Sequence, residues 1–143
     1  MIDDAVRRGA EVTFGDTTNG NIGYFHSPTM LSNVPIDALA MQDEPFGPIA
    51  LFHPVDSLDE AVAKSNSLPY ALAAYAFTGS HDSARHISDA VVAGMIAINH
   101  TTISTPETPF GGTAGSGFGS EGGTESIVDY TYPRHVSDAT AKA

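Results

Sequence analysis

Residues 49–100 of the chain read IALFHPVDSLDEAVAKSNSLPYALAAYAFTGSHDSARHISDAVVAGMIAINH. This stretch contains three short apolar runs with the length and composition of buried strands, at residues 49–55, 71–78 and 94–100. Two segments with helical spacing of apolar residues separate these runs, and the first of them opens with a capping box at Ser57-Leu-Asp-Glu60. Alternating strands and helices predict an α/β fold, with a mainly parallel sheet and helices on both faces.

The next stretch, residues 108–123, reads TPFGGTAGSGFGSEGG. Glycine at this density disfavours a helix or strand interior, so we expect a loop that turns tightly or approaches another group closely. Ligands of parallel sheets bind at the carboxyl ends of strands. Because the stretch follows the third apolar run, we expect it at that end. Phe110 and Phe118 then suggest a pocket wall, and a surface loop anchored by two aromatic side chains is the alternative.

The remaining segments are short. We expect a helix at 1–9, a strand at 11–14, a polar turn at 15–21, an irregular strand at 24–31, a short helix at 35–40, a helix near 121–129, an extended segment at 130–136 and a frayed tail at 137–143. The segment 130–136 has no following partner in the chain, and such a strand often pairs with another subunit. These elements divide the chain into a domain at 1–129 and a terminal strand and tail at 130–143.

Composition excludes several classes of function. The chain has 17 acidic and 6 basic residues, and its net charge of −11 disfavours a nucleic-acid surface or an anionic membrane as partner. It has no cysteine, which excludes disulfides and a cysteine nucleophile within these residues. The six histidines show no metal-binding spacing, so we expect no metal site. Without a membrane-length apolar run or a basic leader, we expect a cytoplasmic protein.

Glu44 lies in the rigid turn Glu44-Pro-Phe-Gly-Pro48, directly before an apolar run. A carboxylate there is able to accept two hydrogen bonds from a diol such as a ribose, or it is simply a solvated turn acid. Phe46 is suited to stack on a flat ring or to fill the core. Residues 117–122 approach G-x-G-x-x-G, but no complete βαβ unit follows them.

Several motifs resemble those of the aldehyde dehydrogenase superfamily, in the same order and spacing. Glu44-Pro-Phe-Gly-Pro48 resembles its E-x-F-G-P motif. The other similar segments are Gly23-Tyr-Phe-His-Ser-Pro-Thr29, Leu68-Pro-Tyr-Ala-Leu-Ala-Ala-Tyr75, Gly94-Met-Ile-Ala-Ile-Asn99, Pro109-Phe-Gly-Gly112 and Ser116-Gly-Phe-Gly-Ser-Glu-Gly-Gly123. The likeness extends from residue 1 to about residue 136. The last segment, together with Asn99-His100, is most similar to the branch that acts on succinate and related semialdehydes.

The resemblance implies the C-terminal part of such a catalytic domain, in a family that uses NAD or NADP. It implies that Glu44 holds the nicotinamide ribose, that Phe46 packs near the nicotinamide, that Phe110 lines the aldehyde tunnel and that Asn99 supports the structure beside the catalytic thiol. It also implies that the strand at 130–136 joins oligomer contacts. The sequence departs from the family pattern at Ala71, Ala114 and Ser120, where glycine, lysine and arginine are usual.

A full family member is several times longer, and its nucleophilic cysteine, general-base glutamate and oxyanion-hole asparagine lie upstream of the matching part. The resemblance therefore assigns no catalytic residue here. We expect a C-terminal fragment that does not oxidise aldehydes alone and does not bind NAD(P) tightly. Its expected partners are copies of itself or the missing N-terminal portion. The alternatives are a non-catalytic, self-associating module and one chain of a split enzyme.

Overall fold

The computed structural model describes residues 1–15 and 22–140. Most of the turn predicted at 15–21 and the last three residues of the predicted tail lie outside the described residues. The chain forms two compact units, Met1–Ser57 and Leu58–Ala143. Within the described residues, no helix has the length and apolar character needed to cross a bilayer.

The first unit is a three-stranded sheet with two short helices. Its elements are α1 (Ile2–Arg7), β1 (Glu11–Phe14), β2 (Thr29–Ser32), α2 (Leu39–Gln42) and β3 (Ile49–Leu51). Strand β2 is central and pairs antiparallel with β1 and parallel with β3. The core gathers small and branched apolar side chains from α1, from β2 and from the segments that follow α1, follow β2 and precede α2, namely Ile2, Ala5, Ala10, Leu31, Val34 and Ala38.

The second unit contains the predicted strand–helix–strand arrangement. Its elements are α3 (Leu58–Ser65), β4 (Tyr70–Ala71), β5 (Ala73–Ala76), α4 (His81–Ala90), β6 (Met95–Ile98), β7 (Thr113–Ala114) and a 3₁₀ helix (Glu125–Tyr130). Strands β5 and β6 are parallel and are joined through α4. Helix α4 begins where the Ser80 hydroxyl accepts a hydrogen bond from the N–H of Ser83 at 3.2 Å, which is the N-cap contact expected of a serine.

The α/β fold class with parallel strand pairs is confirmed, and the structure differs from the expected elements in detail. Strand β3 pairs with β2, so it belongs to the sheet of the first unit, whereas β5 and β6 form a separate sheet. The helix expected near 121–129 is a shorter 3₁₀ helix, since two glycines with positive φ, Gly122 at +64° and Gly123 at +62°, precede it. Residues 131–140 form no strand with the described part of the chain. Pairing of 130–136 with another subunit, and the division at residue 129, stay predictions.

Candidate functional site

The glycine-rich stretch lies at the amino ends of β5 and β6, and the expectation of the carboxyl ends is wrong. Strand β7, inside this stretch, pairs antiparallel with β4, which directly precedes β5. The N–H of Gly115 donates to the carbonyl of Pro69 at 2.7 Å. A Cβ atom on Gly94, at the amino end of β6, would overlap the carbonyl oxygen of Gly111.

The path of the chain after β6 explains this position. A cavity of about 280 Å³ is lined both by the β6 segment and by residues 100–109. The segment after β6 therefore returns beside the strand that it leaves. At roughly 3.3 Å per extended residue, ten residues are ample to pass a four-residue strand. The expectation of the carboxyl ends rested on the order of the segments in the sequence. It was wrong because residues 100–109 run back along β6 before the stretch begins.

Phe110 lies in the wall of an open cavity of about 320 Å³ that the glycine-rich stretch lines in large part. The cavity lining comes from three sources: Leu72 beside β5, residues 110–112, 116 and 118–121 of the stretch, and Asp129 with Tyr130 of the 3₁₀ helix. An antiparallel bridge closes the stretch, since the N–H of Phe110 donates to the carbonyl of Glu121 at 2.6 Å and the N–H of Glu121 donates back at 2.8 Å. The stretch is therefore the wall of a pocket, and its role as a substrate tunnel stays a prediction.

Asn99 lies at the opposite end of the same two strands. Its N–H donates to the carbonyl of Ala76 at 2.8 Å, which continues the pairing of β6 with β5. Its side chain bonds to both backbone groups of Thr78. These contacts are those of a structural residue. Whether a catalytic thiol lies beside it stays a prediction.

Glu44 and Phe46 belong to the first unit, in the turn between α2 and β3. Glu44 is exposed, and within the described residues its carboxylate makes no hydrogen bond or ion pair. The Phe46 side chain is 90% exposed, so the alternative that it fills the core of this unit is wrong. Both side chains are available to a ligand, and their predicted contacts with a nicotinamide nucleotide stay predictions.

Three cavity residues escaped the sequence interpretation. Ser116, Glu121 and Asp129 line the same cavity as Phe110, and Ser116 and Asp129 also bond to the backbone around it. Ser116 occurs in the sequence only as part of the glycine-rich motif and had no predicted role. No pattern in the sequence indicated that Glu121 lines a cavity. The contact of Asp129 with Ser120 joins residues that are nine positions apart, so no local pattern indicates it. The three come together only in the folded chain.

Comparison with known proteins gives consistent matches along almost the whole chain. The sequence profile described as "Aldehyde dehydrogenase family" matches residues 1–136. A 4-(hydroxymethyl)benzenesulfonate dehydrogenase of Comamonas testosteroni is 50% identical over 105 residues, covering 73% of this chain and 22% of the relative. The succinate-semialdehyde dehydrogenase [NADP(+)] of Deinococcus radiodurans is 37% identical over 136 residues, covering 95% of this chain and 28% of the relative.

Solved structures agree with these relatives. The crystal structure of an E. coli NADP-dependent enzyme superposes with a TM-score of 0.86 at 34% sequence identity, over 90% of this chain and 27% of that one. The chain thus spans about a quarter of the length of the proteins that it matches. The profile match covers more than nine-tenths of the chain. The structure of the chain superposes on a solved structure that resembles it in sequence as well. The chain belongs to the aldehyde dehydrogenase family.

Proposed function

We propose that this chain is the part of an NAD(P)-dependent aldehyde dehydrogenase that supplies one wall of the aldehyde pocket and the contacts to the nicotinamide ribose. The observation that carries the proposal is the position of Phe110 in the wall of an open cavity that the glycine-rich stretch lines. An aromatic side chain on such a wall offers the apolar surface that binds the carbon chain of an aldehyde.

Succinate semialdehyde, or an aldehyde that likewise carries a remote anionic group, is the substrate that we propose. Support comes from relatives named for succinate semialdehyde, which match over 91–95% of this chain. The 50% identical relative is named for a benzenesulfonate, which also carries an anionic group. The substrates in the two names share an anionic group, and that shared group is the feature on which the proposed class of aldehydes rests.

Glu44 and Phe46 are the residues that we propose for NAD or NADP. The free carboxylate of Glu44 has two oxygens that accept hydrogen bonds, which suits the two hydroxyl groups of a ribose. The exposed ring of Phe46, two residues later, is suited to pack near the nicotinamide. When bound, the nucleotide would accept the hydride that an aldehyde oxidation releases.

The chain has no cysteine, so the thiol that attacks the aldehyde in this family does not come from these 143 residues. In the proposed enzyme, these residues bind and orient the aldehyde and the cofactor, and another stretch of polypeptide supplies the nucleophile. The 143-residue chain alone is therefore expected to show no NAD(P)-dependent oxidation of succinate semialdehyde. Turnover by the homogeneous chain would contradict the proposal.

A chimeric enzyme tests the positive half of the proposal. Residues 1–136 of this chain replace the matching segment of the Deinococcus radiodurans enzyme, which aligns over 136 residues. We expect NADP-dependent oxidation of succinate semialdehyde. Phe110→Ala is expected to raise the KM for the aldehyde, and Glu44→Gln to raise the KM for NADP roughly tenfold, since a hydrogen bond to a charged group is lost.

The matched control in the chimera is Glu107→Gln, which changes an exposed acid that lines no described cavity. This variant is expected to match the unsubstituted chimera in both KM values. A folded chimera that binds NADP but tolerates Phe110→Ala with unchanged KM and kcat would refute the role of Phe110. Unchanged KM for NADP in Glu44→Gln would refute the role of Glu44.

We also propose that the chain self-associates, because apolar side chains near its C-terminal end are exposed. They are Ile127, Val128, Tyr130, Tyr132 and Val136, each more than 60% exposed. Exposed apolar side chains that lie this close together in sequence favour protein–protein contact. Light scattering after size exclusion tests the proposal: we expect a dimer or larger species that Tyr132→Asp with Val136→Asp converts to a monomer. A monomer at high concentration without the substitutions would contradict it.

A further inference from the structure

Asp129 makes a contact with the glycine-rich stretch that neither the family match nor the proposed function assigns. Its Oδ2 atom accepts a hydrogen bond from the N–H of Ser120 at 2.9 Å. The next residue along the chain is Glu121, whose backbone pairs with Phe110 in both directions. The carboxylate therefore fixes the backbone one residue away from the bridge that positions Phe110.

Gly119 makes this approach of the carboxylate possible. Its φ angle is +84°, in the left-handed region that favours glycine, and a Cβ atom on it would lie 2.6 Å from Asp129 Oδ2. Any other side chain at 119 would push the carboxylate away or strain the backbone. The glycine and the aspartate therefore act as a pair, although nine residues lie between them in the sequence.

Ser116 makes a second side-chain hydrogen bond that holds the glycine-rich stretch in place. Its Oγ atom accepts a hydrogen bond from the N–H of Ala71 at 2.8 Å, beside the pairing of β4 with β7. Phe118 lies between Ser116 and Ser120, and its side chain is fully exposed. A segment that rich in glycine loses much conformational entropy when it is ordered, and packing at its tip does not offset that loss. The two side-chain bonds therefore add to the backbone pairing of Phe110 with Glu121 and of β7 with β4 in defining its shape.

We infer that Asp129 is a positioning residue for Phe110, and that it sets the width of the cavity that Phe110 lines. A carboxylate that accepts from a backbone N–H forms a stronger bond than a neutral acceptor does. Without that bond, the backbone at Ser120 is no longer held in place. The hydrogen bonds between Phe110 and Glu121 then weaken, because Glu121 is the next residue. The consequence for an aldehyde rests on the proposed function, in which Phe110 contacts the substrate.

The test uses the 143-residue chain and NMR, and it requires no turnover. We compare the unsubstituted chain with Asp129→Ala, Asp129→Asn and the control Glu107→Ala. In Asp129→Ala, we expect the Ser120 amide to exchange with solvent roughly tenfold faster and the Phe110 ring resonances to shift and broaden. Asp129→Asn keeps a side-chain oxygen that accepts the same bond, so it is expected to restore most of the protection and the Phe110 signals.

Two results would overturn the inference. One is a Phe110 spectrum and a Ser120 exchange rate that do not change in Asp129→Ala. The other is an equal acceleration at Asn99 and Ile98 in the β6 segment, which would show a general loss of stability. Because the readouts are the Phe110 signals and amide exchange, the inference fails independently of the activity of the chimera, which tests the proposed function.

Discussion

The side-chain amide of Asn99 forms two hydrogen bonds with the backbone of Thr78. The N–H of Thr78 donates to Asn99 Oδ1 at 2.8 Å, and Asn99 Nδ2 donates to the carbonyl of Thr78 at 2.9 Å. Asn99 itself has a φ angle of +63°, a region that asparagine adopts more readily than most residues. One side chain thus joins the carboxyl ends of β5 and β6 while its backbone turns the chain out of the sheet.

Substitution of Asn99 separates these two contributions. Asn99→Gly keeps the backbone conformation and loses both side-chain bonds, so we expect the free energy of unfolding to fall by about 1–2 kcal/mol. Asn99→Ala loses the same bonds and adds about 1 kcal/mol, because alanine disfavours the left-handed region. Urea denaturation measures both. Equal stability of the alanine variant and the unsubstituted chain would contradict the prediction.

The control is Asn33, which also has a positive φ angle, +52°. Within the described residues its side chain makes no hydrogen bond. Asn33→Gly is therefore expected to change the free energy of unfolding by no more than about 0.5 kcal/mol.

Asp4 makes the first unit sensitive to acid. Its carboxylate accepts a hydrogen bond from the N–H of Leu39 at 2.8 Å and others from Arg8 Nε at 3.1 Å. The bond from Leu39, followed by those from Arg8, lowers the pKa of Asp4 below its ordinary value of 3.8. A lowered pKa means that the stabilisation is fully present above pH 3.8 and is lost as the pH falls through the pKa of the folded state.

Asp4→Asn is expected to lower the free energy of unfolding at neutral pH, and its deficit relative to the unsubstituted chain is expected to shrink below pH 3.8. Asp3→Asn is the control, since it makes the same charge change in α1. Urea denaturation across the pH range measures the difference. A deficit that stays constant down to the lowest pH would show that the charge of Asp4 contributes nothing.

The order of elements in the second unit was predictable because its signals are local. The helix α4 follows Ser80, an N-cap serine, and the short apolar runs on either side have the composition of buried strands. Parallel pairing then follows from the length of the connection, because a helix between two strands returns the chain to the same end of the sheet. The local sequence therefore indicates the start of α4 at Ser80 and the two strands on either side of it, Ala73–Ala76 and Met95–Ile98.

The position of the glycine-rich stretch was not predictable in the same way. It depends on how residues 100–109 return beside β6, and the turn signals in that segment, Pro106 and Pro109, do not specify the direction of the return. The bond between Asp129 and Ser120 depends in turn on that position. Phe110 was identified as a pocket residue through a resemblance and through the density of glycine, while the residues that hold it required the folded structure.

Ser116→Ala tests the hydrogen bond that joins the glycine-rich stretch to Ala71 in β4. Ala71 is buried, and its N–H donates to the Ser116 hydroxyl. Without that hydroxyl, a buried backbone donor has lost its partner, and we expect a loss of about 1–3 kcal/mol in the free energy of unfolding. Ser137→Ala, in an exposed position, is the control and is expected to be neutral. Urea denaturation compares the two, and equal midpoints would contradict the prediction.

Gly94 and Gly79 form a matched pair that tests the close approach of the glycine-rich stretch to β6. Neither has a positive φ angle, so an alanine at either position is free of that backbone strain. A Cβ atom on Gly94 would overlap the backbone of Gly111 and Gly112, whereas one on Gly79 would meet nothing within 4 Å. The two substitutions add the same methyl group and differ in the space that receives it.

We expect Gly94→Ala to lower the free energy of unfolding by about 3 kcal/mol, since the backbone of the stretch must move away. Gly79→Ala is expected to change it by less than about 0.5 kcal/mol. Urea denaturation measures both, and amide exchange at Gly111 and Gly112 reports the displacement itself. If both variants unfold at the same urea concentration, the stretch does not lie against the amino end of β6 in solution, because only that contact distinguishes the two sites.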